Sequence, residues 1–274
     1  MEYSTLFKAG VRRHKGSLIG IFVLVLLVSL SLGTVLTIGS NSGSYVVSEL
    51  ERAGYGSLTA WVSNLSDREA LTGEIAALPE VATVETQELI YSNYTVNEQE
   101  SDSEGQLITQ SLDETRYRFF TDDLSGYRSD VPQINPGEVY VSPSLVSMFG
   151  LGLGDEITFP VARAGGNVVL TVKGFYEDPF MGSSMIGMKG FLICQDDHDA
   201  MAERIRGSGI DALAREGAML HIFSERGLTA SELSAVINEN TSLPAHTEFV
   251  HSADAISGFM LILQNAFSGL LLAF

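Results

Sequence analysis

The residues in this sequence whose types suit metal binding form two short acidic runs. Residues 196–199 read Asp-Asp-His-Asp, but they follow a candidate strand and open a candidate helix. Carboxylates are stabilised by the dipole at the start of a helix, so we interpret this run as a helix beginning. Residues 100–105 resemble the first half of a calcium-binding EF-hand loop. Calcium needs a bidentate glutamate at the twelfth position, where this chain has Ser111, so we predict no calcium site there.

The rest of the sequence contains no pattern for phosphate binding or nucleophilic catalysis. Residues 150–154 are rich in glycine but lack the lysine and the spacing of a nucleotide-binding loop. Three histidines fall on candidate strands without the spacing of metal ligands: His221, His246 and His251. The single cysteine, Cys194, ends an apolar run and is expected to be a small core thiol. We therefore predict no catalytic residue, no metal, no cofactor and no enzymatic activity.

The net charge of the chain limits the kinds of molecule that it can bind. It holds 34 acidic and 16 basic residues, which gives a formal charge of −18. So acidic a surface repels nucleic acids, and we predict no nucleic-acid partner. Four of the bases precede the first apolar run: Lys8, Arg12, Arg13 and Lys15.

An apolar run over residues 18–38 predicts a transmembrane helix. These 21 residues carry no charge. As a helix they would span about 31 Å, which matches the hydrocarbon core of a bilayer. A cleaved signal peptide would have a shorter run followed by a small-residue cleavage site, which is missing here. The four preceding bases favour a cytoplasmic N-terminus, and residues 1–17 have the pattern of a basic amphipathic segment on the membrane surface.

A second apolar stretch covers residues 255–274 and carries no charge. We interpret it as the start of a second transmembrane helix that is truncated, and the chain as a fragment of a longer protein. Residues 39–254 would then form an extracytoplasmic domain between two membrane segments. The sequence thus predicts a multi-pass membrane protein that contacts membrane lipid.

Two similar strand–helix–strand patterns bracket the exterior domain, over about residues 56–92 and 217–252. The first runs through strand 58–62, a helix ending near 77 and strand 81–91, and the second through strand 218–223, a helix and a strand from 248. Each helix opens with a capping box, Ser66 with Glu69 and Thr229 with Glu232. The matched pair predicts an α+β fold in which both patterns pack as one split β-α-β, ferredoxin-like subdomain.

The inserted part between these patterns, about residues 93–216, is expected to be rich in β-structure. Candidate strands cover 117–121, 137–141, 156–162, 167–175 and 190–194, with helices over 143–149 and 196–206. Residues 98–105 are polar and acidic, so we predict a mobile loop there. Gly150 suits a left-handed helix end, and Gly154 with Asp155 suits a tight turn before a strand.

Three stretches of the chain resemble the FtsX/MacB-type permease subunits of bacterial ABC transporters. Residues 6–18 (LFKAGVRRHKGSL) are similar to the basic segment before the first helix of that family. Residues 136–157 resemble its exterior core, in which a strand, a short helix and a Gly-Asp turn lead into the next strand. Residues 172–179 (VKGFYEDP) are similar to the strand that follows. These motifs are structural rather than catalytic, and Gly150, Gly154 and Asp155 belong to the shared turn.

The resemblance implies a permease with four transmembrane helices in the bacterial cell membrane. Such subunits pair as homo- or heterodimers with a separate or fused ABC ATPase. They couple ATP hydrolysis to motion of exterior domains and act on lipids, lipoproteins or peptides. We expect this domain to work by moving, so a cross-link near Glu49 should block function. The alternative is a two-helix membrane sensor with an exterior ligand-binding domain, which has the same layout.

Overall fold

The computed structural model describes most of the chain between residues 15 and 250. The described residues are 15–63, 68–109, 116–164, 166–178, 181–182, 184, 187–225, 227–242 and 248–250. Two compact units are distinguished, Met1–Val47 with Ala255–Phe274, and Ser48–Asp254. The predicted surface segment up to residue 14, the cap at Ser66 and the second apolar stretch lie outside the described residues, as do His246 and His251.

The first helix, α1, covers Lys15–Arg52 without interruption. It includes the apolar run 18–38 and the residues that follow this run up to Arg52. Large apolar side chains on its first half are exposed, among them Ile19, Phe22 and Leu30. Of the helices within the described residues, none combines the length and hydropathy that crossing a bilayer requires. A transmembrane helix over residues 18–38 therefore stays a prediction.

The unit Ser48–Asp254 is built on β-strands with short helices between them. The strands are β1 (Leu58–Ser63), β2 (Val81–Ser92), β3 (Thr95–Val96), β4 (Gln99–Glu100), β5 (Gly105–Thr109), β6 (Arg118–Phe119), β7 (Glu138–Val141), β8 (Glu156–Ala162), β9 (Gly166–Glu177), β10 (Lys189–Ile193), β11 (Arg215–Ser224) and β12 (Glu248–Val250). The helices are α2 (Arg68–Ala76), α3 (Ser144–Phe149), α4 (Gln195–Ser208) and α5 (Ala230–Asn240), and a 3-10 turn spans Gly209–Asp211. Within the described residues the strands pair in the order β12-β1-β11-β2-β5-β10-β7-β9-β8-β3-β4, with β6 attached to β9.

The four strands β12, β1, β11 and β2 lie side by side in this order, and each is antiparallel to its neighbour. Val62 pairs with Ala218, and Phe223 pairs with Thr83. Both strand–helix–strand patterns therefore share one sheet, which confirms the predicted pairing of two segments that are distant in sequence. The order of the strands is that of a split β-α-β arrangement.

Helices α2 and α5 are amphipathic, and their apolar positions pack on the same core as this part of the sheet. Leu71 and Ile75 of α2 and Leu233 and Ile237 of α5 are buried in it. These spacings of four residues place each pair on one helix face. Helix α5 begins at the predicted capping box, in which Thr229 accepts from the Glu232 amide and the Glu232 carboxylate accepts from the Thr229 amide.

The inserted strands form a second core with α3 and α4. β5 pairs with β10 in parallel, and β7 pairs with β9 in parallel. The candidate strands 156–162 and 167–175 are both present, and as β8 and β9 they pair antiparallel to form a hairpin. Large apolar side chains from these strands are buried together, including Phe159, Phe191 and Val139.

The prediction of a loop over residues 98–105 is wrong in part, because Gln99–Glu100 form β4 and Gly105 begins β5, whereas residues 101–104 lie outside the strands. β3 and β4 form a hairpin whose two-residue turn is Asn97-Glu98, both with positive φ, +48° and +63°. Positive φ at both turn residues matches the twist of the strands in a two-residue hairpin. The polar residues of this segment do not predict such a turn from the sequence. The next segment, β5, lies in the middle of the sheet and was not expected as a strand. Gly105 at its start leaves no room for a side chain, since a Cβ there would lie 2.5 Å from Phe191.

Cys194 also differs from its expected role as a buried strand residue. It follows β10 and caps α4, where its Sγ accepts a hydrogen bond from the Asp197 amide at 3.4 Å. The side chain is partly exposed rather than a core thiol. An apolar run therefore does not show whether its last residue belongs to the strand or caps a helix that begins directly after it.

Candidate functional site

Four charged side chains meet where α1 ends, and we name Glu49, Arg52, Arg118 and Glu177 the junction cluster. Glu49 and Arg52 are three residues apart on α1, so they share one face of its last turn. Arg118 comes from β6, and Glu177 ends β9, the strand with which β6 pairs. The cluster therefore links the end of the first helix to a strand pair in the inserted part of the domain.

Each arginine of the junction cluster bridges both glutamates. Arg52 lies 2.8 Å from the Glu49 carboxylate and 3.2 Å from the Glu177 carboxylate. Arg118 lies 3.0 Å from Glu49 and 3.5 Å from Glu177. Tyr127 adds a hydrogen bond of 2.5 Å to Glu177, and its ring lies under the Arg118 guanidinium at 5.4 Å. Charges arranged in such a network are held more firmly than an isolated surface pair.

Partial burial and the charges of neighbouring side chains shift the pKa values of Glu49 and Arg118. The side chains of Glu49 and Glu177 are only 12% and 19% exposed. Burial alone would raise the pKa of Glu49, but the hydrogen bonds and charges of Arg52 and Arg118 hold it below its ordinary value. Burial would lower the pKa of Arg118, and the neighbouring Glu49 and Glu177 raise it instead. Glu49 and Arg118 are therefore charged near neutral pH and attract each other.

The end of α1 is also fixed through its backbone. Gly54 adopts φ +71° after the helix, its amide donates to the Glu51 carbonyl, and the Tyr55 amide donates to the Leu50 carbonyl. This pair of bonds is a Schellman cap, which requires a residue that tolerates the left-handed conformation. Arg116 passes close by, so that a Cβ on Gly54 would lie 2.6 Å from its guanidinium. Helix α1 therefore ends in one defined geometry.

A buried hydrogen-bonded chain holds the segment that presents Arg118. His221 Nε2 lies 3.3 Å from the Gln87 side-chain oxygen, and His221 Nδ1 lies 3.2 Å from Thr59 Oγ1. Since the amide oxygen only accepts, Nε2 carries the proton and Nδ1 accepts from Thr59. Gln87 in turn donates to the Tyr117 hydroxyl at 2.6 Å. Tyr117 is partly buried and immediately precedes Arg118, so its hydrogen bond to Gln87 helps to fix the position of Arg118.

Desolvation sets the protonation of two members of this buried chain. It lowers the pKa of His221 to about 3, with a further contribution from the nearby positive charge of Arg116. It raises the pKa of Tyr117 to about 12. Both groups are therefore neutral at physiological pH, and they contribute structure rather than proton transfer.

The acidic run at residues 196–199 serves the start of α4. The Asp197 carboxylate accepts from the Gly137 amide at 2.7 Å and so ties the helix to the turn before β7. Asp199 accepts from the Gln195 side chain at 2.8 Å and lies 3.4 Å from His198 Nδ1. Across the part of the chain that the structure describes, no three histidine, cysteine or acidic residues are grouped to hold a metal ion.

The other residues singled out in the sequence divide into two groups. Lys8, Arg12 and Arg13 lie outside the described residues, and Lys15 is the first residue of α1. The turn at residues 150–155 is described. Gly150 ends α3 with φ +67°, and Gly154 has φ +86°. The Asp155 carboxylate accepts from the Gly152 amide at 2.8 Å, which closes the turn. The positive φ angles explain why glycine occupies positions 150 and 154. Any role of this turn beyond reversing the chain stays a prediction.

The junction cluster itself was missed in the sequence, apart from Glu49. The spacing of Glu49 and Arg52 is a local signal for a helical ion pair. Arg118 and Glu177 are distant in sequence. Glu177 lies in the family-like stretch 172–179, but nothing in that stretch marks it as a partner of Arg118. Only the pairing of β6 with β9 brings them to the helix end.

Comparisons with known proteins show only weak similarity. No protein-family model matches the chain, and no curated protein matches it. The periplasmic region of MacB from Actinobacillus actinomycetemcomitans is similar over 79% of this chain and 97% of that chain, with 10% identity and a TM-score of 0.35. The extracellular domain of the ABC-type transporter YknZ from Gram-positive bacteria is similar over 70% of this chain and 99% of that chain, with 11% identity and a TM-score of 0.33. Both TM-scores are below 0.5, so neither likeness assigns a fold or an activity to this chain.

Proposed function

We propose that this chain is the permease subunit of an ABC transporter of the FtsX/MacB type. In this proposal a partner ATPase hydrolyses ATP, and the resulting motion of the membrane helices moves the extracytoplasmic domain. The work done is export, extraction or signalling that involves lipids, lipoproteins or peptides. The subunit pairs with a second permease in the bacterial cell membrane, is multi-pass and keeps its N-terminus in the cytoplasm. It takes no catalytic part itself.

The observation that carries the proposal is the junction cluster at the end of α1. There Glu49 and Arg52 are ion-paired to β6 and β9. Motion of this last helical turn would therefore move the strand pair with it.

The sequence supports the same proposal from a different direction. The basic residues before the apolar run favour a cytoplasmic N-terminus. The strand, short helix and Gly-Asp turn over residues 136–157 resemble the exterior core of the FtsX/MacB-type permeases. The chain contains no phosphate-binding loop, so the ATPase must be a separate subunit or domain.

The geometry of the junction cluster changes one expectation about mechanism. The expectation that a cross-link near Glu49 blocks function depends on motion of the domain relative to the first helix. Glu49 is already held to Arg118 at 3.0 Å, and the helix end is fixed by a Schellman cap. We therefore propose that the helix end and the strand pair move as one body.

Charge reversal in the full-length protein with its partner ATPase tests this proposal. Glu49→Arg places a positive charge beside Arg52 and Arg118, and Arg118→Glu places a negative charge beside Glu49 and Glu177. Each single change should lower transporter-dependent function at least severalfold, because like charges separate the helix end from the strands. The double change restores one opposite-charge contact and should recover part of the function.

The control is the same reversal at an exposed ion pair elsewhere in the domain, Arg128 with Asp130. Arg128→Glu should leave function unchanged, since surface pairs contribute little. If the single changes in the junction cluster leave ATP-driven function intact while the protein remains folded and in the membrane, the proposal is wrong. A cytoplasmic signalling domain after residue 274, in place of further apolar spans, would favour the sensor instead.

A further inference from the structure

Arg116 lies against the end of α1 but does not belong to the junction cluster. Its backbone carbonyl accepts a hydrogen bond of 3.4 Å from the Arg52 side chain, and its guanidinium passes close to Gly54. The Arg116 side chain is only 13% exposed. A positive charge at this place is favourable, because the last carbonyl groups of a helix carry partial negative charge. Arg116 therefore contacts the helix end with both its backbone and its side chain.

The same residue is attached to β2. Arg116 Nη2 donates to the Glu85 carboxylate at 2.6 Å. The next residue, Tyr117, accepts from the Gln87 side chain at 2.6 Å. Glu85 and Gln87 are two positions apart, so their side chains lie on one face of β2. Two successive residues of one segment thus bind the same face of this strand.

The helix end is therefore attached to two separate parts of the sheet. The junction cluster ties Glu49 and Arg52 to β6 and β9 in the inserted part. Arg116 ties the same helix end to β2, which belongs to the split β-α-β part. In the order of the strands, β5, β10 and β7 lie between β2 and β9. A helix end that is held at one place can pivot about it, whereas attachments to two separate strands fix its direction.

The chemistry of Arg116 suits contact with two neighbours at once. A guanidinium presents several N–H donors in a rigid plane, so it can face the helix end while it binds Glu85. Hydrogen bonds between charged groups are also stronger than those between neutral groups. The charge of Arg116 contributes to the low pKa of His221, which pairs with Glu85 across β11 and β2. The guanidinium thus acts on the face of the sheet that lies below the helix end.

We propose that Arg116 is a positioning residue that fixes the direction of the last turn of α1 relative to β2. Without its guanidinium, this turn pivots about the junction cluster, although the contact of Glu49 with Arg118 remains. The contact itself is a property of the domain, and only its consequence for transport rests on the proposed function. In transport, a turn that pivots passes less of its motion to the split β-α-β part.

The distance between two spin labels tests the proposal in the full-length protein without nucleotide. The labels are placed at exposed positions, Glu51→Cys in the last turn of α1 and Ala76→Cys in α2, with Cys194→Ser. Helix α2 shares a core with β2, so it reports the position of that strand. Arg116→Met keeps most of the side-chain volume but removes the charge and the hydrogen bonds. The distribution of distances, measured by double electron–electron resonance, should become about twice as wide.

Further variants separate the charge of Arg116 from its volume. Arg116→Lys returns a positive charge beside Glu85 and should recover most of the narrow distribution, which a role in filling space does not predict. Arg206→Met is the matched control, because it removes an exposed arginine that pairs with Glu216 at 3.0 Å, and it should leave the width unchanged. Glu85→Gln removes only the acidic partner and should widen the distribution less. An unchanged width in Arg116→Met, or in Glu85→Gln if Arg116→Met does not fold, would overturn the proposal.

ATP-driven function with the partner ATPase separates this inference from the proposed function. Arg116→Met should lower that function severalfold, and Arg206→Met should not. If Arg118→Glu lowers function but Arg116→Met does not, the role of Arg116 in transport is wrong and the proposed function stands. If neither change lowers function, the proposed function is wrong, and the width of the distance distribution still decides whether Arg116 fixes the helix end.

Discussion

His221 shows how a residue that looks reactive in the sequence can be structural. Its side chain is buried, it is hydrogen-bonded on both ring nitrogens, and the edge of Tyr55 packs on it at 5.1 Å. An alanine at this position would leave the polar groups of Thr59 and Gln87 without their partner, which costs about 1–3 kcal/mol of stability. Loss of function in such a variant would therefore report unfolding rather than a missing catalyst.

The pKa of His221 predicts how acid acts on the domain. Its folded value of about 3 lies below the ordinary 6.5. The unfolded chain therefore binds a proton that the folded chain does not, and stability falls as the pH drops from 6.5 towards 3. Since acid also protonates carboxylates, the informative quantity is the difference from His221→Gln, which keeps hydrogen-bonding atoms but does not titrate.

Urea unfolding of wild type and His221→Gln across this pH range measures the effect. The free energy of unfolding of the wild type should fall more steeply, by up to about 1.4 kcal/mol per pH unit. Parallel pH dependence of the two proteins would show that folding does not lower the pKa of His221, and would contradict the prediction.

A second prediction at the residue scale concerns the end of α1. Gly54→Ala forces a side chain into φ +71° and against Arg116, so it should lower the free energy of unfolding by about 1–3 kcal/mol. The matched control is Gly73→Ala in α2, where no atom lies within 4 Å of an added Cβ. That change should raise stability by about 0.5–1 kcal/mol, because alanine favours the helix. Destabilisation of equal size at both positions would contradict the assigned geometry.

At the scale of elements, the sequence predicts those segments whose pattern is local. The capping box at Thr229 and the helix-terminating Gly150 depend on neighbours within a few residues, and both are present. β5 was missed because its five residues include a glycine and a glutamine, which seldom indicate a central strand. Its position follows from pairing with β2 and β10, which are distant in sequence.

Substitutions in the hairpin of β3 and β4, which was not predicted from the sequence, test whether it forms. Glu98 occupies φ +63°, which is unfavourable for a residue with a side chain. Glu98→Gly should therefore raise the free energy of unfolding by about 0.5–1 kcal/mol. Glu100→Gly in β4 is the control and should lower it, since glycine weakens a strand. Thermal unfolding of both variants distinguishes a formed hairpin from a loose loop, in which neither change matters.

At the scale of the whole molecule, the proposed function depends on whether the end of α1 and the strand pair β6–β9 move together. The sequence supplied the apolar run, the basic N-terminal residues and the two strand–helix–strand patterns. It did not supply the junction cluster, since Arg118 and Glu177 approach Glu49 only after β6 pairs with β9. The site therefore belongs to the tertiary structure, whereas its helical half is visible in the spacing of Glu49 and Arg52.

Cross-linking within the junction cluster tests the central claim most directly. Glu49→Cys and Arg118→Cys are combined with Cys194→Ser in the full-length protein, and a short bifunctional thiol reagent joins the two new thiols. ATP-driven function with the partner ATPase is then compared with that of the same protein before cross-linking and of each single cysteine variant after reagent treatment. If the helix end and the strand pair move as one body, the cross-link replaces the lost ion pair and function is retained or improved. Loss of function only when both cysteines are joined would show that the two parts must move against each other, and would contradict the account.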